Sequence, residues 1–77
     1  MIVKIFTLTN ELEIIENVEL IRIISGDYNL AIMRDYVPII GAIDGSVTIV
    51  SDKTREFNNI KACYMCSKNV FNLIIEG

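Results

Sequence analysis

Turn-forming residues divide this chain into short apolar runs, and their spacing limits its fold more than any other feature. The turn signals are Ser25-Gly26-Asp27, Asp44-Gly45, Ser51-Asp52-Lys53 and Ser67-Lys68-Asn69. Each supplies residues that tolerate left-handed backbone or bond their own main chain. Turns this closely spaced favour an all-β meander or sandwich.

Three of the runs between these turns predict strands. Residues 3–7 are short and rich in β-branched side chains, and residues 46–50 alternate Val47 and Ile49 with Thr48 in the period of a half-buried strand. Residues 70–75 are almost continuously apolar, which suits a strand covered on both faces. Because the last run is short, its periodicity does not separate a strand from a buried helix.

Asp44-Gly45 is the sharpest of the turn signals. A two-residue hairpin turn needs positive φ, which Asp-Gly adopts at low cost. We therefore expect a hairpin that pairs residues 39–43 with residues 46–50. Pro38 lacks a backbone donor, which places it at the start of the first of these strands.

Residues 10–24 allow two interpretations. Apolar residues recur every third position there, and Asn10 with Glu13 matches a capping box, which predicts a helix and an α+β fold. The same segment also divides at Glu16-Asn17 into two β-compatible runs, residues 12–15 and 18–24. Both alternatives stay open at this point. The apolar residues with the helical spacing are Leu12, Ile15, Val18 and Ile21.

Size and composition limit the class of protein. A chain of 77 residues has room for one core, so residues 1–77 are expected to form a single domain. With 52% hydrophobic and 22% charged residues it should fold. Its net charge of -3 and the lack of a basic run argue against nucleic acid as a partner.

The apolar segments are too short for a membrane protein. The longest uncharged stretch in the middle of the chain, residues 36–43, falls far short of the roughly 20 residues that span a bilayer. Lys4 lies inside the first apolar run, which argues against a signal peptide. We therefore expect no direct membrane insertion and a cytoplasmic location, where two cysteines stay reduced.

The sequence lacks two features that many catalytic and nucleotide-binding sites use. It contains no histidine, which excludes a histidine base, a catalytic triad and the commonest metal ligand. Its four glycines stand singly, so no P-loop or Rossmann turn is present. We expect no catalytic activity, no bound metal and no cofactor.

Cys63 and Cys66 have the C-x-x-C spacing of redox and zinc sites. The chain offers neither a second ligand pair nor the strand-to-helix context of a thioredoxin-like centre. In an extended strand the two side chains point to opposite faces. Two small apolar cysteines are the favoured interpretation, with a thiol redox or intersubunit metal site as the alternative.

Two polar segments are further candidates. Four glutamates lie between residues 11 and 19, but the Asp/Asn/Gly pattern of calcium-binding loops is missing around them, so a solvent-exposed face is the favoured interpretation. They are Glu11, Glu13, Glu16 and Glu19. Met33-Arg34-Asp35-Tyr36 breaks an apolar stretch with residue types that are enriched at protein interfaces. Its alternative is a plain surface loop.

The order of these segments resembles one known family. Residues 25–49, from Ser25-Gly26-Asp27-Tyr28 through Val37-Pro38 to Asp44-Gly45, are similar to the turn, loop and hairpin succession of the ATP synthase epsilon subunit. Residues 3–7 resemble its opening strand and residues 69–73 its final strand. The chain also departs from the family: Tyr36 replaces a histidine, Asp35 a glycine or asparagine, and Lys61-Ala62 a pair of glycines.

The resemblance implies an all-β fold, a flattened β-sandwich or barrel of about ten short strands. It implies a non-catalytic F-type ATP synthase subunit that binds the gamma shaft through a sheet face and the c-ring through a loop end, coupling proton transport to ATP synthesis. It places the chain peripherally on the inner face of the cell membrane. The residues implied to face the c-ring are Met33, Arg34, Asp35 and Tyr36, with Asp27 and Tyr28 beside them.

The resemblance and the strand pattern lead to three further expectations. The family's C-terminal helical hairpin is absent from this sequence, so no regulatory role of that hairpin carries over. A stand-alone β-sandwich adaptor that has left the synthase is the alternative function. Uncovered strand edges also favour self-association into a homo-oligomer.

Overall fold

The structure, a computed structural model, describes residues 1–9 and 12–76. Within these residues the chain forms seven β-strands and no helix, which confirms the all-β class. The strands are β1 (Ile2–Phe6), β2 (Leu12–Ile15), β3 (Leu20–Ser25), β4 (Asn29–Met33), β5 (Ile39–Val50), β6 (Thr54–Ser67) and β7 (Val70–Ile75).

All seven strands belong to one mixed sheet in the order β2-β1-β7-β6-β5-β3-β4. Strands β1 and β7 pair in parallel and every other pair is antiparallel. The long strands β5 and β6 divide the sheet in two. The five-strand wing consists of β2, β1, β7, the second half of β6 and the first half of β5, and the four-strand wing of the remaining halves with β3 and β4.

Both wings turn one face towards a single core. Alternate side chains along each strand are buried, as a pleated strand requires. The largest fully buried side chain is Phe71 of β7. The buried residues are Met1, Val3, Ile5, Val18, Ile21, Ile23, Ile32, Ile43, Val47, Ile49, Ile60, Ala62, Tyr64, Cys66, Phe71 and Leu73.

Polar contacts join the two wings at their margins. Glu13 on β2 forms a salt bridge with Arg55 on the first half of β6, and the Arg55 guanidinium lies 5.3 Å from the Phe57 ring centre. Near the N-terminus, the Val18 amide donates to the Met1 carbonyl at 3.0 Å. These contacts hold the edge strand β2 and the β2–β3 connection against the core.

The helix considered for residues 10–24 is wrong over the described residues. Strands β2 and β3 occupy this segment, and the break at Glu16-Asn17 is confirmed by Asn17, whose φ is 57°. Strand pairing with β1, β4 and β5 satisfies the backbone of β2 and β3, so the tertiary context overrides the helical spacing. Asn10, half of the expected capping box, lies outside the described residues.

The hairpin expected at Asp44-Gly45 is also wrong, because both residues lie inside the continuous strand β5. Gly45 pairs with Ser25 on one side and Ile60 on the other, and it does not take positive φ. A Cβ at this position would meet the Ile24 carbonyl oxygen. The glycine permits close approach of two backbones, which produces the same sequence signal as a turn.

The strand count is seven instead of about ten, because β5 and β6 each run through both wings. An extra residue in β6 at Asn58-Asn59 shifts the register between Gly45 and Val47, and Asn59 has φ 54°. Such a bulge bends a strand and lets it serve two layers. Pro38 directly precedes β5, as expected.

The other turn predictions are confirmed. The turns predicted at residues 25–27, 51–53 and 67–69 follow β3, β5 and β6, with Ser25 and Ser67 as the last residues of β3 and β6. Lys68 and Asn69 take φ values of 51° and 63°. Lys61 and Ala62 lie in β6 without positive φ, so their replacement of glycines causes no strain there. Asp35 does take a positive φ of 62°. The family that the sequence resembles has glycine or asparagine at this position.

Candidate functional site: an apolar outer sheet face

The outer side of the five-strand wing carries an uninterrupted row of apolar side chains. Because directly paired residues point to the same face of a sheet, the register defines the row. It crosses all five strands and is about 19 Å long at the usual strand spacing. Its members are Leu12, Phe6, Ile74, Cys63 and Ala42.

A second row runs beside the first and contains one charge. Its apolar members are Ile14, Met65 and Ile40, and Ile40 is 76% exposed. Lys4 and Asn72, which pair with each other, lie between Ile14 and Met65. We call these ten residues the apolar face. Exposed large apolar side chains collected in one patch are typical of an interaction surface.

The outer side of the four-strand wing is different. There the register aligns Ala31, Arg22, Thr48 and Glu56 in one row. This row contains charges of both signs and suits contact with water. The rows beside it also hold apolar side chains, Leu20, Met33 and Val50 in one and Ile24 in the other, so this outer face is mixed. The continuous apolar row of the five-strand wing makes that wing the candidate interaction surface.

Polar residues border the apolar face where β5, β6 and β7 continue beyond the first row. Asp44 and Lys61 are cross-strand partners, and the Glu76 amide donates to the Lys61 carbonyl at 2.8 Å. All three side chains are exposed. An apolar centre with a charged rim is the usual composition of a protein interface.

Two tyrosines meet beneath one end of this surface. Tyr64 is buried, stacks on Phe71 with ring centres 5.4 Å apart, and has its hydroxyl 3.3 Å from that of Tyr28. Tyr28 donates to the Ala42 carbonyl at 2.5 Å. Burial, with added effects from Tyr28 and Tyr36, raises the pKa of Tyr64 far above its ordinary value, so this hydroxyl stays protonated.

The expected ring-facing residues do not form one group. Met33 ends β4 with 58% exposure and Arg34 and Asp35 form the following turn, whereas Asp27 and Tyr28 precede β4 at its other end. Asp35 is held by Asn69 of the β6–β7 turn. Tyr28 and Tyr36 are partly buried against the core, so their rings serve packing.

The sequence predicted the residues of the loop as a site and implied binding through a sheet face, but it did not predict which residues form the apolar face. The sequence of β7 does indicate the apolar face, because its almost continuous apolar run was expected to be covered on both sides. In the structure Phe71 and Leu73 point into the core, while Ile74 is 46% exposed on the outer side. A strand with apolar residues on both faces and only one of them buried leaves a second apolar surface exposed.

The two cysteines lie on opposite sides of β6, as the sequence predicted. Cys63 belongs to the apolar face and Cys66 is buried in the core, where burial raises the pKa of its thiol. Both are free. Residues 1–9 and 12–76 contain no cluster of three or more acidic or cysteine side chains able to hold a metal ion.

The acidic residues described near the N-terminus are exposed. Glu13 contacts Arg55, and Glu16 and Glu19 face solvent; Glu11 lies outside the described residues. Over the part of the chain that the structure describes, no helix has the length and apolar character needed to cross a membrane.

Comparison with known proteins gives a relationship at the level of the fold. No family model matches the sequence, and no curated protein matches it. A chain in a cryo-EM structure of the Tetrahymena thermophila mitochondrial ATP synthase, central stalk and c-ring, aligns with a TM-score of 0.81 and 13% sequence identity. The alignment covers 100% of this chain and 63% of that chain, so this sequence spans less than two thirds of its length.

Proposed function

We propose that this chain is a non-catalytic, epsilon-type component of an F-type ATP synthase rotor. The observation that carries the proposal is an exposed apolar face on a fold that aligns, over the whole chain, with part of an ATP synthase central stalk and c-ring structure. The order of sequence segments resembles the epsilon subunit independently of that alignment. In this role the domain binds other rotor subunits and connects them, and it does not itself catalyse a reaction.

The apolar face is the proposed binding surface for the gamma shaft. It offers six large apolar side chains that are between 37% and 76% exposed. Removal of apolar surface from water is the dominant favourable contribution in most protein–protein association, so such a face suits a contact with another protein. The six residues are Phe6, Leu12, Ile14, Ile40, Met65 and Ile74.

The β4–β5 connection is the proposed contact with the c-ring. Met33 at the end of β4 and Arg34 and Val37 after it are exposed, and the bonds between Asp35 and Asn69 hold the loop. Asp27 and Tyr28, at the other end of β4, are proposed as a separate contact. These contacts would keep the domain peripheral on the inner face of the membrane and couple proton transport to ATP synthesis.

Co-purification from the protein's own cells tests the proposal. The tagged wild type should recover gamma and c subunits at physiological salt, as identified by mass spectrometry. Ile40→Glu places a charge in the apolar face at a highly exposed position and should lower gamma recovery at least about tenfold. Ala31→Glu, at an exposed position on the other outer face, is the matched control and should recover gamma normally.

The alternative is a stand-alone adaptor with the same fold. Recovery of unrelated partners that Ile40→Glu abolishes and Ala31→Glu does not would support the adaptor and reject the rotor role. Folded protein that recovers no partner would reject both functions for the apolar face.

A further inference from the structure

Lys4 is the one charged residue in the two rows of the apolar face. It lies between Ile14 of β2 and Asn72 of β7, with the all-apolar row containing Phe6 beside it. No acidic side chain belongs to either row. A partner that covers the face must therefore remove water from an ammonium group that this surface does not pair.

Desolvating an unpaired charge is costly, and an opposite charge across an interface offsets that cost. Asn72 supplies an amide beside Lys4, which can share a hydrogen bond but carries no charge. A carboxylate on the partner is the group that would meet the ammonium. The chemistry of the face therefore favours a partner with one Asp or Glu within an apolar surface.

The same residue argues against self-association through this face. A two-fold dimer brings the same patch of both copies together. Lys4 lies one strand from β7, the middle strand of the wing, so a two-fold axis near β7 would bring two ammonium groups together, and neither row offers them a carboxylate. Like charges across an interface disfavour the contact. A different protein fits the charge pattern better than a second copy.

The shape of the face indicates what kind of element covers it. The two rows are separated by two residues along each strand, or about 7 Å, and extend for about 19 Å across the strands. A helix is about 10 Å wide and rises 1.5 Å per residue, so about 13 residues would lie between the rows and reach across all five strands. A segment that covers a sheet face finds no free backbone groups there to bond with. A helix meets this condition because it bonds its own backbone.

We infer that Lys4 selects the partner of the apolar face, and that this partner is a helix with an apolar stripe and one Asp or Glu opposite the Lys4 ammonium. The inference rests on the proposed use of this face but not on the identity of the partner. Lys4 acts as a specificity residue, because a partner helix with a basic or purely apolar residue at that point would leave the ammonium repelled or unpaired.

Photo-crosslinking from the face tests this inference. The purified protein carries photo-methionine and Met33→Leu, so that the exposed reactive group is at Met65, in the same row as Lys4, and Met1 is buried. It is irradiated in extract of its own cells at physiological salt, and the crosslinked peptides are sequenced by mass spectrometry. The expected peptide is helical, with apolar residues three and four apart and an Asp or Glu among them.

Charge variants separate specificity from folding. Lys4→Glu should lower the crosslink yield at least about tenfold, whereas Arg22→Glu on the other outer face should change it less than about twofold. Replacing the partner's acidic residue by lysine should restore the yield with Lys4→Glu. Circular dichroism of both variants checks that the sheet is intact.

The outcomes distinguish this inference from the proposed function. Crosslinks to an acidic helix of gamma, lost in Lys4→Glu, support both. Crosslinks to such a helix in another protein support the inference and reject the rotor role. A gamma crosslink that Lys4→Glu leaves unchanged rejects the inference alone. A second copy of this chain, a partner sheet or no specific crosslink overturns it.

Discussion

Tyr64 fills the space above Gly41, its partner on the neighbouring strand. A Cβ at Gly41 would collide with the hydroxyl end of the Tyr64 ring. Tyr64 is held in this position by its stack on Phe71 and by the hydroxyl of Tyr28. Gly41 is therefore needed because an aromatic ring occupies the place of its side chain.

Gly41→Ala should destabilise the protein by about 1–3 kcal/mol, because the added methyl group must displace a buried, stacked ring. Gly26→Ala is the control, since a Cβ there meets nothing within 4 Å and should change stability by less than about 0.5 kcal/mol. Urea unfolding followed by circular dichroism measures both. Equal stabilities of the two variants would show that Tyr64 does not pack on Gly41.

Stability should fall at alkaline pH because of Tyr64. Its pKa is raised in the folded protein above the ordinary value of about 10, so the unfolded chain loses this proton first. The contribution of the protonated Tyr64 hydroxyl to the free energy of unfolding is complete below about pH 10. Above that pH it decreases by at most about 1.4 kcal/mol per pH unit. Urea unfolding at pH 9 and pH 11 should show a larger loss for the wild type than for Tyr64→Phe. Identical losses would contradict a buried, protonated hydroxyl.

The bonds between Asp35 and Asn69 should stabilise the contact between the β4–β5 connection and the β6–β7 turn. Asn69 accepts from the Asp35 amide at 2.7 Å and donates to its carboxylate at 3.1 Å. Asn69→Gly keeps the positive φ and removes these bonds, at an expected cost of about 0.5–1.5 kcal/mol. Asn69→Ala should cost about 1–2 kcal/mol more, because alanine is strained at this φ.

The control for this pair is Lys68→Gly in the same turn. Lys68 also has positive φ, so glycine there should be neutral or slightly stabilising in urea unfolding. If Asn69→Gly were as stable as Lys68→Gly, the side-chain bonds of Asn69 would contribute nothing.

The two cysteines should react at very different rates. Cys63 lies on the outer face, whereas Cys66 is buried with a raised thiol pKa. Maleimide should modify Cys63 quickly and Cys66 only as the protein unfolds. Mass spectrometry of the adducts over time, with Cys63→Ser as the control, measures the difference. Equal rates, an internal disulfide or bound zinc would support the redox or metal alternative.

Local patterns predicted much of the fold. Asn17, which takes positive φ between β2 and β3, shows why the break at Glu16-Asn17 was informative: asparagine tolerates a left-handed backbone that ends a strand. The same local reasoning failed at Asp44-Gly45, because a glycine required by the Ile24 carbonyl resembles a glycine required by a turn. Sequence identifies where glycine is needed but does not say which neighbour requires it.

The sequence by itself favoured the all-β class and predicted most of the turns, because turn signals depend on residues close together in the chain. The pairing of β2 and β3 excluded the helix over the described residues. Only the tertiary structure decided which apolar residues are buried and which form an outer face. Leu12, Phe6 and Ile74 come from distant segments and meet in one row through pairing with β1. That pairing joins segments that are distant in the chain. Its register decides which side of each strand faces the core. It also places Lys4 among apolar side chains on the outer side.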